Sequence, residues 1–158
     1  MKNLKKLFAN NHFVFKLCQF CLCCAGAFAR KLYPFDLQTT IWSDNVAFAQ
    51  YGYVFITGTL IIAYIILEDA GSSTRVIEIC LLIIGAIHNK LACIFVLIEY
   101  FKHTDSIWSM RTGGDTEEIV WDLDQMDAAL LVAICAFCCG GIMVVDCLLH
   151  IAKRNFAF

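Results

Sequence analysis

Proline occurs once in 158 residues, and charged side chains make up only 16 % of the chain. A single proline excludes collagen and polyproline-rich linkers and leaves long helices unbroken. A soluble domain carries roughly 25 % charge and about 45–50 % apolar residues; here the apolar share is 60 %. Basic residues do not dominate either: 12 Lys and Arg face 14 Asp and Glu, giving a net charge of −2. No basic stripe is present, so a nucleic-acid partner is not expected. Phosphate-binding P-loops, G-x-S-x-G elbows and H-E-x-x-H helices are missing, as is any internal repeat. What the chain has in quantity is long apolar runs, and these define an integral membrane protein.

The runs lie at about 12–29, 50–67, 76–101 and 127–152. Each is near the roughly 20 residues needed to cross a bilayer. They are separated by a mixed segment at 30–49, a short Gly/Ser-containing turn at 68–75, and an acidic segment at 102–126 that includes Gly113-Gly114. The expected fold is all-α, a four-helix transmembrane bundle forming one membrane domain. The first run competes with a signal-peptide reading, because it has a basic start and Ala25-Gly26-Ala27 as a small-residue cleavage site. Asn10, Asn11, His12, Lys16 and Gln19 interrupt such a hydrophobic region, which favours a retained helix. An even number of spans puts both ends on one side. That side holds Lys2, Lys5, Lys6, Arg75, Lys153 and Arg154, against Arg30, Lys31, Lys102 and Arg111 opposite. Six against four places the termini in the cytoplasm by the positive-inside rule.

Ten cysteines are present, all within the apolar runs. Disulfides that brace outer loops need loop cysteines, so these thiols read as small packing residues. Cys147, close to Lys153 and Arg154, is a candidate for S-acylation. Cys18-x-x-Cys21, Cys21-x-x-Cys24 and Cys135-x-x-Cys138 have redox spacing. Four-span thiol oxidoreductases of the vitamin K epoxide reductase type also need a loop-borne pair, which this chain does not have. The four histidines show no paired ligand spacing, and no metal or cofactor is expected.

Ionisable residues inside spans are costly and normally face other helices or water. Asp146 lies about 9 Å, and Lys16 about 6 Å, from the same membrane face at 1.5 Å per residue. The two are therefore expected to pair between the first and last helices. His88, Asn89 and Lys90 lie at the middle of the third run, too deep for easy snorkelling. They are expected either to line a hydrated seam or to mark a kink. Ala129, Ala133, Ala136 and Gly140 supply a small-residue face for close helix approach, either within the bundle or between copies. Trp108 and Trp121 in the acidic outer segment are candidate contact residues for a partner.

In the last run, Gly141-Ile142-Met143-Val144-Val145-Asp146-Cys147-Leu148-Leu149 has a Gly-apolar-Asp-apolar pattern, and Tyr53-Val54-Phe55-Ile56-Thr57-Gly58 is a weaker echo in the second. With the four-span plan, these segments resemble the MARVEL-type membrane-organising proteins, and within them the insect Snakeskin-type proteins of smooth septate junctions. The resemblance implies a non-enzymatic protein of the plasma membrane that assembles laterally with other membrane proteins, or with itself, at a cell junction or barrier. His88-Asn89-Lys90 and the cysteine-rich first run depart from that pattern. Claudin and tetraspanin signatures are missing. The alternative is a small channel or proton- or ion-handling subunit using His88, Lys90, Glu99 and Asp146; a third is a membrane thiol oxidoreductase.

Overall fold

A computed structural model describes residues 10–37, 39–66, 72–111 and 121–155, giving only the helical backbone at 72–75, 106–111 and 153–155. Among these residues every regular element is helical. Helix α1 spans Asn11–Leu32, α2 Thr40–Ile66, α3 Ser72–Arg111 and α4 Leu123–Asn155. All four are long and apolar enough to cross a membrane, so the chain is a multi-pass membrane protein. They run up, down, up, down. Helix α4 packs against α1 and α3, and α2 against the same two helices, so the bundle closes as a square.

The helix ends follow from local chemistry. The Asn10 side chain accepts the His12 amide and starts α1. Asp122 and Gln125 cap α4 reciprocally: Asp122 Oδ1 accepts the Gln125 amide at 2.7 Å, and Gln125 Oε1 accepts the Asp122 amide at 3.1 Å. Two serial acceptors in a capping box satisfy donors that the first helical turn leaves open. The second helix begins ten residues before the expected 50. Thr39 caps it, and its first turns are anchored: Arg30 donates to Ser43 O at 3.3 Å and to Ser43 Oγ at 2.8 Å, while Trp42 stacks on Phe95 with centroids 4.9 Å apart. A π-helical stretch at Phe48–Gly52 joins this start to the apolar half of α2. Such bulges rephase a helix without breaking it. Here the bulge turns Gln50 inward against Gly26, where any side chain would overlap the amide.

The core is made of small residues. Val46, Ala49, Ala92, Val96, Ala129, Val132 and Ala136 fill the half away from the chain ends, and Cys23, Tyr53, Leu82, Cys139 and Met143 the half towards them. Large apolar side chains such as Phe28, Phe55, Ile66 and Phe101 point outward. Lipid supplies no hydrophobic force between helices, so close contact between small residues holds the bundle instead. Ala129, Ala133, Ala136 and Gly140 face α3, where a Cβ on Gly140 would lie 3.3 Å from that of Asn89 and 3.4 Å from Ala86 O. The small-residue face is thus consumed inside the molecule and is closed to a second copy.

Candidate functional site

Helix α1 is polar on its inner face. His12, Lys16, Gln19, Cys23 and Gly26 repeat at steps of four and three and are all buried. Helix α3 buries Glu78, Leu82, Gly85, Asn89, Ala92, Val96 and Glu99 at the same steps. These stripes meet α4 and place the charged residues in two groups at opposite ends.

At the end where the chain termini lie, all four helices contribute to one ionic cluster. The Lys16 ammonium contacts Asp146 Oδ2 directly and Glu78 Oε1 at 3.0 Å. His12 Nδ1 lies 2.5 Å from Asp146 Oδ1. His150 stands one turn after Asp146, with Nε2 3.3 Å from Glu78 Oε1 and 3.8 Å from Asp146 Oδ1. The two imidazoles stack with centroids 3.8 Å apart and planes at 22°. Tyr64 of α2 donates its hydroxyl to the Glu78 carboxylate at 3.1 Å. Lys16 and Asp146 are completely buried, and none of His12, Glu78 and His150 exceeds 6 % exposure. Burying several charges costs several kcal/mol each unless they are mutually paired, so this network exists only because its members meet.

Lys16 and Asp146, expected to approach, are in contact. Sequence reasoning missed His12, Glu78 and His150. Asp146 and His150 are four apart on one helix, a ligand-like spacing that a search for paired histidines overlooks. Glu78 lay too close to the start of its run to look embedded.

The other expected groupings come out differently. His88, Asn89 and Lys90 form no common seam, because consecutive helical residues point 100° apart. Asn89 alone faces the interior, donating to Gly85 O at 2.9 Å. His88 turns back to Ile84 O at 2.9 Å and packs near Phe48. Lys90 lies on the opposite flank, donating to Phe137 O at 3.4 Å with its nitrogen 3.7 Å from the Phe137 ring centre. Lys90 is half-buried, its ammonium lying over Phe137, which is 58 % exposed, on the flank of the bundle. The three residues thus lie on different faces of α3.

Trp121 is not an outward contact residue: it is buried, stacked on His103 at 4.3 Å and packed against Phe35. The side chains of Trp108, Lys153 and Arg154 lie outside the described residues, as do Lys2, Lys5, Lys6 and residues 112–120 of the acidic segment. Cys147 is buried inside the bundle rather than presented for acylation. Cys18, Cys21 and Cys138 point outward, so the C-x-x-C pairs do not face a common interior site. The close thiols are instead Cys23 and Cys139 on different helices, with sulfurs 3.6 Å apart.

At the far end, Glu99 is 2 % exposed. Its Oε2 is 4.0 Å from His103 Nε2, and Oε1 has no hydrogen-bond partner among the described residues.

No protein-family model, curated protein or solved structure matches this chain. The fold and its polar interior define a four-span helical membrane protein.

Proposed function

We propose that this chain is a non-enzymatic membrane protein that acts by lateral assembly with another integral membrane protein, at a cell junction or membrane barrier of the plasma membrane. The observation that carries this reading is Lys90. It stands at the middle of the candidate span Val76–Asp105, on the bundle's outer flank, with an aromatic ring and one carbonyl as its contacts. A half-buried charge at that depth, with no carboxylate beside it among the described residues, costs about 3 kcal/mol or more. A neighbouring helix carrying a carboxylate at the midplane removes that cost.

Among the described residues a second copy offers no midplane carboxylate: Glu78, Glu99 and Asp146 are buried inside their own bundle, and the exposed acids Asp36, Asp44, Asp105, Asp122, Asp124 and Asp127 lie away from the middle of the spans. A different chain is therefore the partner proposed. The resemblance to Snakeskin-type proteins agrees with lateral association at a junction.

Gentle detergent extraction, native mass determination and identification of the co-purifying proteins test this reading. The wild-type chain is expected in a complex with a membrane protein bearing an intramembrane Asp or Glu. Lys90→Met should leave the fold intact and release that partner. Wild-type and Lys90→Met chains that both run as the same lone species would remove the proposal.

A further inference from the structure

The ionic cluster has a property that lateral assembly does not use. One ligand atom from each of His12, Asp146 and His150 lies within 4.8 Å of the other two, and all three residues are buried. We propose that these three side chains bind one borderline divalent metal ion, of the Zn2+ or Co2+ class, inside the end of the bundle where the chain termini lie.

The donor set is the first argument. Two imidazoles and one carboxylate suit first-row divalent ions, and three protein ligands leave a further coordination position. Glu78 Oε1, 3.3 Å from His150 Nε2, is within reach of that position.

The second argument is an atom without a hydrogen bond. His150 Nε2 is buried and, although carboxylate oxygens are near, none lies in line for a hydrogen bond. A buried ring nitrogen left in this state needs an explanation. A metal ion on its lone pair provides one.

Charge is the third. Two carboxylates face one ammonium, so the acids of the cluster outnumber its fixed cation in a low-dielectric interior. A cation is the ligand such a field attracts.

The surrounding contacts hold the ligands in place, as outer partners do at metal sites. Lys16 occupies Asp146 Oδ2 and Glu78 Oε1, and Tyr64 holds the Glu78 carboxylate. Asp146 Oδ1 is thereby left for the imidazoles. Tetrahedral coordination places neighbouring donor atoms roughly 3.4 Å apart. The His12–Asp146 separation of 2.5 Å must open, and the His150–Asp146 separation of 3.8 Å must close slightly. The stacked imidazoles must also slide apart, because each donates through a lone pair in its own ring plane. Entry is short, because His12 belongs to the first turn of α1 and His150 to the closing turns of α4.

The test is a Co2+ titration of the full-length, untagged chain in detergent micelles, read by visible absorption and by metal content after gel filtration. One Co2+ per chain is expected, with the d–d absorption of a low-symmetry nitrogen and oxygen site, displaced by Zn2+. His12→Gln and His150→Gln should each weaken binding at least tenfold, and His88→Gln, on the lipid-facing flank, should leave it unchanged. Circular dichroism establishes that each variant is folded. Should a ligand variant not fold, X-ray absorption on the wild-type complex decides, because two imidazoles give a distinctive scattering pattern. Absence of stoichiometric binding, binding that survives both ligand substitutions, or a bound metal without imidazole scattering overturns the proposal.

Discussion

The two ends of the bundle face the same difficulty and meet it differently. At each, carboxylates lie well below the helix ends, shielded from water. Near the termini, Glu78 and Asp146 share Lys16, with His12, His150 and Tyr64 completing their contacts. At the far end, among the described residues, Glu99 has no basic side chain closer than His103 Nε2 at 4.0 Å, and one of its oxygens makes no hydrogen bond. The stabilising work there is done by apolar and aromatic contacts: Trp121 on His103, Trp42 on Phe95, and Phe35 against Trp121. The comparison teaches that burial of a carboxylate in this fold does not fix how well it is paired, which depends on what the other helices bring to it. Position in the sequence alone does not decide its state.

Removing the shared cation should break the comparison most severely. Lys16→Met leaves two carboxylates facing each other without compensation, at a cost of about 3–5 kcal/mol. Thermal unfolding followed by circular dichroism in detergent should show most of that loss, and adding Asp146→Asn should restore part of it. Equal stability of Lys16→Met and wild type would mean that the cluster is not held by charge.

Neutralising one acid at each end should sharpen the contrast through opposite signs. Glu78→Gln discards a charge-assisted contact with Lys16 and should destabilise by about 1.5–3 kcal/mol. Glu99→Gln replaces a poorly paired buried charge by a neutral group of the same shape, and should be neutral or stabilising by about 1 kcal/mol. Parallel denaturation of the two variants checks this. Losses of the same size in both would show that Glu99 is as well compensated as Glu78.

The smallest expected effect concerns the far end alone. Asp122→Ala removes the capping box of α4 and should cost about 1 kcal/mol. Hydrogen exchange should rise in the first turn of α4 and stay unchanged around Asp146. Exchange rising equally at both ends would mean that the two halves of the bundle do not open independently.

Much of this architecture is legible in the sequence because it depends on composition. Apolar runs of bilayer length and two polar turns specify four spans, and the matching depths of Lys16 and Asp146 bring those two within reach. The helix boundaries were less legible. Thr40–Ala47 carries Ser43, Asp44 and Asn45, and looks like a connector until Arg30 from α1 is seen to satisfy Ser43. The triplet His88-Asn89-Lys90 misled for the opposite reason: adjacency in sequence suggested a common seam, whereas helical rotation sends its members to different faces.

The sequence by itself therefore determined the solvent and the number of helices, because hydropathy is a property of single segments. The cluster was decided by tertiary structure. His12 and His150 stack although 138 positions separate them, and their meeting requires α1 and α4 to be aligned to within a fraction of a 5.4 Å helical turn. That register is set by contacts such as Gly26 on Gln50, Gly140 on Asn89 and Cys23 on Cys139. It is a property of pairs of helices, which no single segment encodes.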